Sequence, residues 1–207
     1  MLKIWGRVNS INVQKVLWCC GELELRYDRL DAGMQFGVNN TPEYKAKNPN
    51  ALVPTIEDDG LVLWESQAIV RYLARKHGLG SLCPSDPQAC ADADRWMDWN
   101  ATTVWLNLRP VFWNLVRTPP EKRDMVQIQK DADAEAVQWR IVDAELAARG
   151  FIEGDQFTIA DIALGAYARR WLGVEGVTKP VLPNLERWFA QFAERPGFVQ
   201  FIAPSMT

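Results

Sequence analysis

The hydrophobic pattern of this 207-residue chain changes character once, near residue 80. Before that point, short alternating stretches suited to strands are interleaved with stretches of helical period. After it, every apolar pattern has helical spacing. A chain divided in this way is predicted to fold as a small mixed α/β unit followed by an all-helical one, and its length accommodates two small domains. With 48% apolar and 24% charged residues it can bury a sizeable core.

In the first part, Leu2 to Trp5 alternates and reads as a strand. Asn9 and Ser10 are both N-cap residue types. Val13, Val16, Leu17 and Cys20 then share one helical face, with Gly21 as the expected stop. Leu25 to Leu30 reads as a second strand, parallel to the first if the helix between them is a crossover. Thr41-Pro42-Glu43 places a cap, a proline and an acid in the order that starts a helix. Thr55 to Asp58 and Leu61 to Trp64 flank Asp59-Gly60, a hairpin signal. Ser66 is the expected cap of a helix that carries Ile69, Tyr72 and Leu73 and ends at Gly78. The predicted order is β-α-β-α-β-β-α.

Leu79 to Pro87, with Gly80, Pro84 and Pro87, reads as a linker. The expected division is therefore 1–78, a linker 79–87, and an all-helical domain 88–207. Asp86-Pro87 opens a long helix with Trp96, Trp99 and Thr103 at helical spacing, which Pro110 is expected to kink or break. Thr118-Pro119-Pro120-Glu121 has the form of a capping box, predicting a helix that runs to Gly150. Thr158-Ile159-Ala160-Asp161 is a second box, flanked by Phe157 and Ile162 at staple positions, so Thr158 and Asp161 are assigned structural roles. Leu185, Trp188, Phe189 and Phe192 share a face of the last main helix, which Arg195-Pro196 is expected to end.

Composition excludes several functions. The net charge is -3 and no basic stripe is present, so nucleic acid is not expected as a partner. The single histidine, His77, is incompatible with a multi-histidine metal site, and no metal is expected. It sits where it would complement a helix C-terminus. Cys19, Cys20, Cys83 and Cys90 form no CxxC pair, which argues against dithiol redox chemistry and fits a reduced, cytoplasmic setting. Cys19 and Cys20 lie in the third turn of the first helix and read as buried. No apolar leader follows Met1, and no run approaches membrane-spanning length.

The segment Asn48-Pro49-Asn50-Ala51-Leu52-Val53-Pro54-Thr55-Ile56, followed by Leu63-Trp64-Glu65-Ser66-Gln67-Ala68-Ile69 and Tyr72-Leu73, resembles the glutathione-binding half of cytosolic glutathione S-transferases. Asn9-Ser10-Ile11-Asn12-Val13-Gln14-Lys15-Val16 is similar to the serine-type active-site turn of theta- and delta-like and related bacterial members. The Thr158–Asp161 box and the closing Pro183-Asn184-Leu185 with Trp188 extend the likeness over nearly the whole chain. The resemblance implies an α/β thioredoxin-like N-terminal domain, an all-α C-terminal helical bundle, glutathione as co-substrate, a role in detoxification, and usually a homodimer. It implies that Pro54 follows a cis peptide bond. Two positions depart from the family: Ala51 stands where relatives often carry a basic residue or histidine, and the 36–40 loop has no basic residue for the glycine carboxylate. Asn39 or Lys45 must serve there.

Residue chemistry then assigns the remaining grips. Val53, held extended by Pro54, offers its backbone N–H and C=O to the cysteinyl segment of glutathione as an added strand. Glu65 neutralises the γ-glutamyl amine, and Ser66 receives the neighbouring carboxylate at a helix N-terminus, with Gln67 beside it. Taken alone, Ser66 reads more readily as a cap and Glu65 as a solvated charge. The thiol must ionise, and Ser10 or Asn12 can donate to the thiolate at the first helix's N-terminus. Both residues are also good caps. An apolar pocket for a small electrophile is expected between the domains, with Trp5, Val8, Trp99, Thr103, Leu106 and Trp113 as candidate walls, although a tryptophan at helical spacing is more often packing. The activity so implied is transfer of the glutathione thiol to small apolar electrophiles. A glutathione-dependent disulfide reductase and a non-catalytic glutathione-binding module are the alternatives.

Overall fold

The computed structural model describes residues 1–204 and 206. β1 (Leu2–Trp5) buries Leu2 and Ile4, as its alternation requires. It pairs in parallel with β2 (Tyr27–Leu30), Leu2 opposite Tyr27 and Trp5 opposite Leu30, across the crossover helix α1 (Ile11–Glu22). On its other side it pairs antiparallel with β3 (Thr55–Asp58), which turns back into β4 (Leu61–Trp64). The mixed sheet runs β2-β1-β3-β4. Asp59 and Gly60 both take positive φ, 48° and 89°, as a type I′ hairpin needs. α2 (Pro42–Lys47) is capped by Thr41, whose hydroxyl accepts from the Tyr44 N–H. α3 (Ser66–His77) ends at Gly78. The arrangement is thioredoxin-like.

The rest is helical. α4 (Pro87–Trp99) is capped by the Asp86 carboxylate and continues through a π-type turn, Asn100–Val104, into α5 (Trp105–Phe112). A second π-type turn, Trp113–Arg117, follows. α6 (Met125–Glu145), α7 (Ile159–Gly173), α8 (Pro183–Ala190) and α9 (Pro196–Phe201) complete the bundle. Thr158 and Asp161 form the expected capping box. The buried Asp161 carboxylate accepts from the backbone N–H of Thr158 (2.8 Å) and of Ile152 (3.0 Å) and from Trp188 Nε1 (2.8 Å). Its structural role is plain: it ties the loop before α7 to α8. Burial raises its pKa to about 6, against the pull of those hydrogen bonds.

α1 is shared by the two halves. It packs against α3 on one side and against α7 and α9 on another. Its fully buried Trp18 meets Phe192 and Phe198, each at 5.2 Å between ring centroids, and Phe157 at 5.6 Å. Gly21 is not the stop of α1. It lies inside the helix, where a Cβ would stand 3.0 Å from the Gly197 Cα, so its bareness allows α9 to approach.

Other boundaries also differ from the sequence reading. β2 begins at Tyr27 rather than Leu25. Ser66 is the first residue of α3, and Glu65 holds the cap position. Pro110 sits inside α5 without breaking it. Thr118 does not open α6. A 3₁₀ turn, Pro120–Lys122, intervenes, and Asp124 caps the helix by accepting from Val126 and Gln127 N–H. α6 ends at Glu145, short of Gly150. α8 ends at Ala190, and Pro196 starts α9 rather than stopping its predecessor.

Glu135 on α6 is fully buried, and neither carboxyl oxygen finds a hydrogen-bond partner. Burial pushes its pKa up to about 9. The folded chain therefore holds a proton there that the unfolded chain, at an ordinary 4.5, has released. Stability contributed by that proton is lost as pH rises from about 4.5 to about 9. Glu135→Gln removes this dependence. Its gain in melting temperature over the wild type should be larger at pH 8 than at pH 5, as thermal scans at the two values will show.

Candidate active site

The turn after β1 is pressed against α1: a Cβ on Gly6 would meet Val13 Cγ2 at 2.4 Å. Ser10 follows as the N-cap residue, with extended backbone (φ -87°, ψ 122°), yet its hydroxyl makes no cap hydrogen bond. A serine at this position normally spends its oxygen on the helix. Here the side chain borders a cavity of about 130 Å³ instead. Ile11 and Asn12 continue that wall, Trp105 and Trp113 face them, and Arg7, Arg117 and Arg170 complete the rim. The Asn12 Oδ1 accepts from Ser66 Oγ (3.3 Å) and from the Tyr167 hydroxyl (3.4 Å), joining the starts of α1 and α3 to α7.

The loop before β3 is fixed from below. The buried Tyr44 hydroxyl donates to the Leu52 carbonyl at 2.6 Å, and Asn48 Nδ2 reaches the same carbonyl at 3.0 Å and Thr55 Oγ1 at 3.1 Å. Val53-Pro54 is cis. Among the described residues neither the N–H nor the carbonyl of Val53 has a protein partner, so both remain available. The Val53 side chain covers Gly33, close to Arg7: a Cβ on Gly33 would lie 3.3 Å from Val53 Cγ2 and 3.8 Å from Arg7 Nε. Asn39 Nδ2 is spent on the Ala51 carbonyl at 2.7 Å. Lys45 is exposed on α2.

Glu65 stands at the mouth of α3 with φ +71°, a left-handed conformation that costs a non-glycine residue about 1–2 kcal/mol. Its side chain is exposed and caps nothing. Ser66 is buried behind it. Gln67 turns the other way and donates its Nε2 to the Met97 carbonyl on α4 at 3.1 Å.

Of the residues proposed for the electrophile wall, the cavity includes Trp113 alone. Trp5 points elsewhere: its indole donates to Glu57 at 2.7 Å and its ring meets Tyr44 edge-on. Trp99 packs edge-on against Trp96, the carbonyl of the half-buried Thr103 accepts from Asn107, and Val8 and Leu106 are exposed. Helical spacing shows that such residues share a face but not what the face meets. Trp105 forms the wall instead, with its ring edge-on to Tyr167 at 5.6 Å.

The larger omission is charge. Arg7, Arg117 and Arg170 come from a turn and two helices far apart in sequence, so no local pattern joins them. Lys15 had a signal: it interrupts the apolar run of Ile11, Val16, Leu17 and Trp18. It is 1% exposed, with its ammonium 5.1 Å from the centre of the Tyr167 ring. Burial pushes its pKa down to about 7; Glu65 opposes the shift and Arg170 adds to it.

A thioredoxin-like sheet with a cis proline ahead of β3, joined to a helical bundle through α1, defines a class of two-domain proteins. Comparison with known proteins narrows it. Residues 1–75 match the model of the glutathione S-transferase N-terminal domain, and residues 104–196 that of the C-terminal domain. The chain is 43% identical over 199 residues to glutathione S-transferase GstB of Escherichia coli, covering 95% of each. It is 28% identical to glutathione S-transferase 3 of Zea mays, covering 98% of this chain and 93% of that one. The crystal structure of the theta class glutathione S-transferase of Xanthomonas axonopodis pv. citri, with glutathione bound, superposes with a TM-score of 0.94 at 40% identity, over 100% of this chain and 99% of that one. The chain belongs to the glutathione S-transferase family.

Lys15 allows a test of the site's charge that needs no ligand. The folded chain releases the Lys15 proton near pH 7, whereas the unfolded chain holds it to an ordinary 10.5. The destabilisation it causes is complete below pH 7 and fades as pH rises toward 10.5. Lys15→Met should therefore raise the melting temperature more at pH 6 than at pH 9.5.

Proposed function

We propose that this protein activates the thiol of glutathione and transfers it to small electrophiles. One observation carries the reading: Ser10 occupies a cap position but leaves its hydroxyl free at the edge of a cavity. A hydroxyl so placed can donate to a thiolate. A free thiol titrates near 8.5, and lowering that by about two units requires roughly 2.7 kcal/mol. A hydrogen bond to a charged group supplies about 1.5–3 kcal/mol and the helix terminus about 0.3–1. The three arginines on the cavity rim favour the anion further. No general base is needed. Asn12 is the second candidate: its oxygen accepts from Ser66 and Tyr167, and its Nδ2 is the donor it offers.

In this reading the unpaired backbone of Val53, presented by the cis Pro54, holds the cysteinyl segment. Glu65 takes the γ-glutamyl amine and Ser66 the neighbouring carboxylate. Lys45 takes the glycine carboxylate, since Asn39 has given its amide to Ala51 and serves to shape the loop. Domain boundaries at 1–78 and 88–207 suit the end of α3 at Gly78 and the start of α4 at Pro87. Leu61, Val62 and Trp64 leave apolar surface along the edge strand β4, which supports a homodimer. The four free cysteines support a cytoplasmic setting.

Turnover of an aryl halide should exceed turnover of a small glutathione-linked disulfide. The reverse ranking makes the protein a reductase, and retention on immobilised glutathione with no turnover of either makes it a binding module. Glu65 separates charge from backbone strain. Glu65→Gln should weaken glutathione about tenfold by calorimetry, because the amine loses its anion. Glu65→Gly should weaken it as much while raising the melting temperature, because glycine relieves the positive φ. Affinity within twofold of wild type in both variants contradicts the placement of the γ-glutamyl end.

A further inference from the structure

We propose that the cavity beside Ser10 selects electrophiles that carry a carboxylate or a similar small anion, with Arg170 and Arg7 as the specificity-determining residues. This rests on the thiol-transfer reading above and names its substrate class.

Arg170 is 6% exposed, and its guanidinium has no hydrogen bond or ion pair among the described residues. Its close contact is the face of Phe112, 4.0 Å from the ring centre. Arg7 gives one nitrogen to Asn9 Oδ1 at 2.7 Å, but its Nε is buried without a partner. Arg117 lies 4.3 Å over the Trp113 ring on the same rim. The cavity wall includes no acidic residue. A buried arginine ordinarily has a carboxylate, and an uncompensated one is expensive to keep. Burial and the charges of Arg117 and Arg7 bring the Arg170 pKa down to about 10, and burial and Arg117 lower that of Arg7. The guanidiniums repel one another, and an anion between them removes that cost.

The remaining geometry identifies the anion as part of the electrophile. In the reading above, glutathione's own carboxylates lie at Ser66 and toward Lys45, leaving Arg170 and Arg7 for another anion. Trp105 and Trp113 supply apolar cover for a short carbon skeleton, and about 130 Å³ suits a small acid. A carboxylate held by Arg170 and Arg7 presents its α-carbon toward the thiolate at Ser10. With an α-halo acid the thiol proton has already passed to solvent. The S–C bond forms as the carbon–halogen bond breaks, and its electron pair leaves with the halide.

Chloroacetate and chloroacetamide differ in charge and little in shape. Halide release from each should be measured at saturating glutathione and divided by the uncatalysed rate. The wild type should accelerate chloroacetate at least about tenfold more than chloroacetamide. Arg170→Gln, and separately Arg7→Gln at a less buried site, should cut that ratio about tenfold, with Arg170→Lys retaining part of it. Equal acceleration of the two compounds, or a ratio that survives both glutamine variants, overturns the proposal. So does a tenfold loss of glutathione affinity in Arg170→Gln by calorimetry, which assigns the arginines to a carboxylate of glutathione. Thiolate absorbance in the enzyme–glutathione complex separates the two levels: a thiolate without preference for the acid sinks this inference alone, and no thiolate with no turnover sinks the transfer reading with it.

Discussion

The site depends on the burial of α1 from two directions. Val13, Val16 and Leu17 are fully buried, and Trp18 is locked among Phe157, Phe192 and Phe198 of the helical half. Gly21 brings α9 close at the C-terminal end. A helix held along its length in this way cannot tilt without breaking contacts in both halves. Its N-terminus is therefore a fixed point, with orphan N–H groups and a positive dipole end facing the cavity. Serine at the cap without a cap bond leaves one more donor at the same point. Precision at Ser10 is thus produced by packing up to about three turns away.

Charge works against the stability of this arrangement. The chain as a whole is mildly acidic, at -3, but the cavity rim gathers Arg7, Arg117 and Arg170, and Lys15 lies buried on α1. Burial disfavours the charged forms of Arg7, Arg170 and Lys15. Glu65 follows the same logic in its backbone, holding a left-handed φ that places a carboxylate at the mouth of α3. Glu135 differs: it lies midway along α6, its oxygens have no hydrogen-bond partner among the described residues, and burial keeps it neutral.

Features set by local chemistry were legible in the sequence. Asp59-Gly60, Thr41-Pro42 and Thr158–Asp161 each determine their own turn or cap, and each appears as expected. Features set by a choice among equivalent neighbours were not. Thr118 and Asp124 are both plausible caps, and the second wins. Ser66 and Glu65 compete in the same way at α3, where position alone decides. Helical periodicity gives Trp99 a face and not its partner, which is Trp96, while Trp5, at the end of β1, meets Glu57. The arginine cluster was invisible because its members lie on three separate elements. The cis peptide before Pro54 followed only from the family resemblance, since nothing in its composition distinguishes it.

The thiol's own titration tests the central claim most directly. Thiolate absorbance of the enzyme–glutathione complex, followed against pH, gives the pKa that Ser10 and the α1 terminus are held to lower. The wild-type midpoint should lie about two units below the free value near 8.5. Ser10→Ala should raise it by about one to two units, in line with the loss of a hydrogen bond to a charged group. Asn12→Ala should raise it less. A midpoint unmoved by Ser10→Ala but raised by Asn12→Ala would make Asn12 the donor, and a wild-type midpoint near 8.5 would contradict thiol activation at this site altogether.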